Sequence, residues 1–293
     1  MRRHGAGGFT LVELVMVIAL SGLVMVMISM ALAQPMQAFV DQSRRAMLVD
    51  QAAGALNRMT RDVRLAIPNS LRLSADGQAL ELLLIHSAAR YRPNRVGSDG
   101  LSFSSAAPGS CGSSTTGGRC DSVQVLDATF NPAGANWMVL YNVGAESGGN
   151  PLPGSNVWAA GNPGVITPTG TSFSVTNGAP AGESQIILGN LPSFRFAFAS
   201  PERRLYLAQT VVGYRCQGGQ LLRYSYSQLL SALPSSPPNG SNPQPVVLHV
   251  ASCNFVYQSG STQRAGLLTL NLGLTQDGEN LQLLQQVHVD NAP

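Results

Sequence analysis

Two hydrophobic patterns divide the chain. From Phe9 to Ala33 almost every position is apolar, and no charge falls between Glu13 and Asp41. As a helix, Leu14 to Ala33 would span about 30 Å, the thickness of a bilayer core. Beyond Pro35 the apolar positions thin to Phe39, Leu48, Ala52, Leu56, Met59, Val63 and Ile67, mainly at three- and four-residue steps. That spacing predicts a helix with one buried face. Pro68 ends it, because proline disfavours helix at the residue before it. The helix over 9–67 would be about 90 Å long if continuous. Arg44, Arg45, Arg58, Arg61 and Arg64 lie among the apolar positions, with Asp41, Asp50 and Asp62 as possible partners; they read as a solvated face rather than a partner-binding stripe.

After residue 70 the pattern becomes that of strands. Short apolar or alternating runs are bounded by Gly, Pro, Ser and Asn, and predict strands at 79–86, 122–130, 137–143, 185–188, 194–198, 205–216, 220–227, 246–258, 267–275 and 280–289. Asp277-Gly278 marks a hairpin between the last two. Pro234 to Pro245 is too proline-dense for regular structure, and 142–182 reads as a long surface excursion. The expected fold class is α+β, a long N-terminal helix packed on a β-rich head. Its expected segments are a leader at 1–8, a transmembrane helix at 9–33, an amphipathic continuation at 34–67 and a head at 68–293.

Composition narrows the chemistry. All 18 basic residues are arginines, and the absence of lysine excludes a P-loop, a pyridoxal Schiff base and a kinase-type ATP site. From Pro68 onward eleven arginines balance eleven acids, so the head has no basic footprint for nucleic acid. His86, His249 and His288 are scattered in strand patterns, and His4 lies in the leader. No nucleophile elbow, zincin or calcium-loop motif occurs. No enzyme activity, metal or cofactor is expected. The four cysteines allow three pairings. We expect Cys111–Cys120, a local pair across a glycine-serine loop, and with it Cys216–Cys253. No two cysteines have zinc-ligand spacing, and disulfides persist in oxidising compartments.

The N-terminus carries the most specific chemistry. Arg2 and Arg3 precede the apolar run and no arginine follows until Arg44, which places the N-terminus in the cytoplasm. The run is too long for the apolar region of a secretory signal peptide. Glu13 is the anomaly, because a carboxylate inside such a span is costly and needs a cation the span does not offer. Gly8 to Leu14 reads GFTLVEL and resembles the class III signal of type IV pilins and type II secretion pseudopilins. The resemblance implies cleavage between Gly8 and Phe9 by prepilin peptidase and N-methylation of Phe9 by the same enzyme. It also implies docking of Glu13 against the N-terminal amine of a neighbouring subunit. Unlike many main pilins, the chain has no proline inside the span.

The C-terminal half (VVGYRC–GGQLLRYSY, SCNFVY, LLTLNLGL, LLQQVHVDNAP) is similar to MSHA-pilus minor pilins of the MshO type and their PilW-like relatives. That similarity implies a single-pass inner-membrane protein with a periplasmic head, working in filament initiation or at the tip. Its implied partners are other minor and major pilins, the inner-membrane assembly platform and the lipid bilayer, with no nucleic acid. A minor pseudopilin of a type II secretion system is the alternative. An adhesin or DNA-uptake head, or a membrane-anchored enzyme, would show itself by surface binding, DNA binding or turnover.

Overall fold

The structure, a computed structural model, describes residues 8–93, 100–104, 120–176, 179–191, 193–260 and 265–293. One helix, α1 (Leu11–Arg64), is followed by strands β1 (Arg72–Leu73), β2 (Ala79–Arg90), β3 (Ser122–Val125), β4 (Trp137–Val139), β5 (Glu146–Ser147), β6 (Asn150–Pro151) and β7 (Ser172–Thr176). Then come β8 (Ser184–Gly189), β9 (Arg204–Gln217), β10 (Gln220–Tyr226), β11 (Gln244–Leu248), β12 (Val250–Gln258), β13 (Gly266–Gln276) and β14 (Glu279–Val289). This is the expected α+β architecture of a long helix with a β-rich body.

Thr10 caps α1. Its backbone is extended, and its hydroxyl accepts a 3.3 Å hydrogen bond from the Glu13 amide, satisfying one of the helix's first free N–H groups. The helix continues through Pro35 and ends at Arg64, three residues short of the expected Ile67. The reason is tertiary. Ala66 bridges Leu84, and the Ile67 amide donates to the Leu83 carbonyl, so the chain joins a sheet before Pro68 can act. Leu48, Ala52, Leu56, Met59 and Val63 are buried as the periodicity predicted, whereas Phe39 is 72% exposed and lies below the head. Gly54 sits mid-helix on the outward side, where glycine costs about 1 kcal/mol relative to alanine.

The largest sheet runs β1-β2-β9-β10-β11, with β4 hydrogen-bonded to the first half of β9. A second sheet is β12-β13-β14, a third is β3-β8-β7, and β5-β6 form a small hairpin. The upper half of α1 packs into the angle between the first two sheets. Its apolar face meets Leu80, Leu82, Val212, Tyr214 and Leu221 of one, and Phe255, Leu268, Leu270, Leu272 and Val287 of the other. Each fully buried aliphatic side chain contributes about 1.5–3 kcal/mol, so the helix is the element through which the two sheets share a core. The Cys216–Cys253 disulfide also joins them, from the end of β9 to β12.

Four further expectations change. The run 246–258 is two strands rather than one, because His249 takes a left-handed backbone (φ 59°) and turns the chain from the first sheet into the second. The proline-dense stretch yields a strand at its end. Pro245 lies in edge strand β11 beside a register shift opposite Leu221/Leu222, positions where a missing N–H is tolerated. The stretch 142–182 is not a surface excursion: Asn156, Val157, Trp158, Val165 and Ile166 are buried in it, and it contains β5, β6 and β7. The run 194–198 forms only bridges, Phe196 pairing with Phe103 and Gly164.

Candidate functional site

The first candidate region is the N-terminal end of α1. Leu11–Leu32 is long and apolar enough to cross a membrane, and none of it is buried against the rest of the chain. The hydroxyls of Ser21 and Ser29 fold back onto the carbonyls of Val17 and Met25, at 2.7 and 2.8 Å. The span therefore presents hydrocarbon nearly all round. Gly8 and Phe9 are exposed just before the cap, and Glu13 is exposed in the first turn. Among the described residues no cation pairs with its carboxylate. A first-turn acid interacts favourably with the helix dipole, but that does not replace a counter-ion in a low-dielectric setting.

The second region is the junction of α1 with the head. Asp62 is buried, and its Oδ2 accepts from the Tyr214 hydroxyl at 2.7 Å and from Arg223 Nε at 2.8 Å. Tyr214 and Arg223 are cross-strand partners on β9 and β10, so both point at the helix together. Burial pushes the Tyr214 phenol well above its ordinary range, and the Asp62 carboxylate pushes it further.

A second ionic row crosses the same sheet one residue along. Arg72, Glu81, Gly213 and Tyr224 pair in succession across β1, β2, β9 and β10. Glu81 is fully buried and accepts from Arg72 Nη2 at 2.6 Å and from the Tyr224 hydroxyl at 3.0 Å. Gly213 makes this possible, since a Cβ there would overlap the Tyr224 ring. Arg72 also donates to the carbonyls of Leu230 and Ser231 and stacks 3.7 Å over the Trp158 ring. Every donor-bearing arm of that guanidinium is thereby engaged, which makes it a structural hub and not a free binding group.

The remaining expected residues are dispersed. Cys216 and Cys253 are bonded. Cys120 is disulfide-bonded as well, and Cys111, its expected partner, lies outside the described residues. His86, His249 and His288 are exposed on different parts of the sheets, and the described residues contain no group of three metal-binding side chains. A groove of about 950 Å³ lies between the β5-β6 hairpin, β1 and Tyr257. Its buried polar walls are already engaged: Asn156 donates to Ala145 O and accepts from Trp158 N, and Asn69 donates to Asn142 O and Asn291 O. Sequence reasoning missed Thr10, Glu81 and Gly213, and set Asp62 on a solvated face among the helix arginines, whereas it is buried against Tyr214 and Arg223. Thr10 was signalled by its spacing to Glu13, a Thr-x-x-Glu helix start. The burial of Asp62 and the places of Glu81 and Gly213 had no local signal.

Residues 3–31 match the prokaryotic N-terminal methylation motif. No curated protein and no solved structure matches the chain. The motif and the apolar helix support a membrane-anchored, type IV pilin-like or pseudopilin protein, a structural subunit in kind. The class III signal implies processing by prepilin peptidase and assembly with other pilin-like subunits.

Proposed function

We propose that the chain is a minor pilin of an MSHA-like type IV pilus, acting in initiation or at the tip of the filament. Prepilin peptidase cuts between Gly8 and Phe9 and methylates the Phe9 amine. The subunit waits in the inner membrane as a single-pass protein, with its N-terminus cytoplasmic and its head, the region from residue 68, periplasmic. Glu13 then docks on the N-terminal amine of a neighbouring pilin as the assembly platform draws the helix from the bilayer. The observation that carries this reading is Glu13 itself. It is the fifth residue after Gly8, within the matched motif, on the exposed apolar part of α1, and no cation pairs with it among the described residues.

Intact mass and N-terminal sequence of the protein from membranes with and without prepilin peptidase test the proposal. The expected result is loss of Met1–Gly8 and gain of one methyl on Phe9 only when the peptidase is present. An intact N-terminus would make the chain a plain signal-anchored protein, and cleavage near Ala33 a secreted one. A minor pseudopilin of a type II secretion system shares this chemistry. Incorporation into surface pili, as against a requirement for protein secretion, separates the two.

A further inference from the structure

One asparagine of the head is placed to react with its own backbone. Asn239 and Gly240 are the exposed central pair of a turn, Pro238 to Ser241, in the connection between β10 and β11. The Ser241 amide closes the turn on the Pro238 carbonyl at 3.1 Å, and Gly240 takes φ 79°, the pattern of a type II turn with glycine in its third place. Neither the Asn239 side chain nor the Gly240 amide has a hydrogen bond among the described residues. The peptide between them can therefore turn over while the closing bond stays intact, because glycine is as free at negative φ as at positive. Along that path the Gly240 nitrogen sweeps past the Asn239 side-chain carbonyl carbon. A Cβ at position 240 would meet nothing within 4 Å, so no neighbour crowds the approach from that side. Asn239 is the one described asparagine followed by glycine; Asn177-Gly178 lies outside the described residues. Elsewhere the following amide is occupied. Ser70, after Asn69, donates to the Ile67 carbonyl, and Phe255, after Asn254, donates to the Gly77 carbonyl.

We propose that Asn239-Gly240 is a self-modifying site, at which the side-chain amide is converted to a carboxylate through a cyclic imide. The Gly240 nitrogen bonds to Asn239 Cγ and gives up its proton, and the side-chain nitrogen leaves as ammonia. Water, the sole co-reactant, then adds to one of the two imide carbonyls and the ring opens. Opening at one carbonyl leaves aspartate. Opening at the other leaves isoaspartate, with the backbone running through the former side chain. Nothing is oxidised or reduced. Each event adds one negative charge to a head in which eleven arginines balance eleven acids. The turn lies outside every strand ladder, next to edge strand β11, so the extra backbone methylene of isoaspartate disturbs no register. The change accumulates with the age of the subunit and is independent of its processing or of the machine it joins.

The test incubates the full-length, detergent-solubilised protein in heavy-oxygen water, then reduces it, cleaves at arginine and sequences the fragments by mass. Cleavage after Arg223 and Arg264 yields one fragment holding Asn239, Asn242 and Asn254. Two controls therefore share its peptide: Asn242 precedes Pro243, whose nitrogen has no hydrogen to give up, and the amide after Asn254 is hydrogen-bonded. The expected result is a heavy-oxygen carboxyl that grows with time at position 239 and at neither control, as a mixture of isoaspartate and aspartate. Its rate rises with pH, because the attacking nitrogen must lose its proton. Gly240→Ala slows it about tenfold, since a Cβ beside that nitrogen obstructs the approach, and Asn239→Gln abolishes it. Aspartate without isoaspartate means direct hydrolysis and overturns the proposal. Equal conversion of Asn254 overturns it too. So does an unlabelled position 239 in the folded protein when urea-unfolded protein is labelled there, since the turn would then lock the pair apart.

Discussion

The two halves of α1 make opposite use of the same secondary structure. Between Leu11 and Leu32 the helix is apolar nearly all round and is buried against none of the described residues, and its one carboxylate, Glu13, has no partner among them. Between Leu48 and Val63 it is apolar on one face, fills the angle between two sheets, and holds a carboxylate satisfied twice. Burial of an acid is tolerated where its hydrogen-bonding capacity is met within the fold. The buried face of the upper half is therefore satisfied within the chain. The lower half depends on surroundings that the chain does not supply, either lipid or other helices.

Substitutions break this contrast in graded ways. Glu13→Ala is expected to abolish incorporation into filaments, scored by immunoblot of sheared surface pili, while leaving the unfolding midpoint of the head unchanged. Met59→Ala should cost the head about 3 kcal/mol through the cavity it leaves, whereas Met25→Ala in the lower half should stay within about 0.5 kcal/mol. Both tryptophans, Trp137 and Trp158, are buried in the head, so their fluorescence during denaturation of the detergent-solubilised protein reports on it alone. Asp62→Asn removes the charge but keeps an acceptor, and is expected to cost about 2 kcal/mol in the same assay.

The smallest effect is alkaline. The Tyr214 and Tyr224 phenols titrate above the usual value of about 10, raised first by burial and then by Asp62 and Glu81 respectively. Their protonated forms are favoured in the folded state, so this stabilisation is fully present below pH about 10 and is lost as pH rises above it. Head stability should fall progressively beyond that point. Tyr214→Phe, though less stable at neutral pH, should show a shallower decline, and an identical slope would assign the effect elsewhere.

How much of this was legible in the sequence depends on how local the cause was. The apolar run, the stripe from Leu48 to Val63 and the Asp277-Gly278 hairpin are set by neighbours within a few residues, and they emerged where the pattern placed them. The end of α1 did not, because Ala66 and Ile67 take their partners from β2. Nor did the role of 142–182, whose glycines and prolines suggest a loop although Val157 and Trp158 fill a core. The row from Arg72 to Tyr224 joins residues up to 152 positions apart through strand register, and no spacing along the chain reports that. At the N-terminus the methylation motif was legible because it is contiguous in the sequence, residues 3–31.

The Cys216–Cys253 bond has a further consequence. It closes a ring around residues 217–252 that contains β10, β11 and the proline-rich 234–243 loop. Most of that loop lies at the surface. A protease that cuts it severs the polypeptide but not the molecule. The two pieces stay covalently joined and separate on a gel only after reduction, with β12–β14 still held against the helix. A secreted protease would find in this head a site it can open without releasing anything.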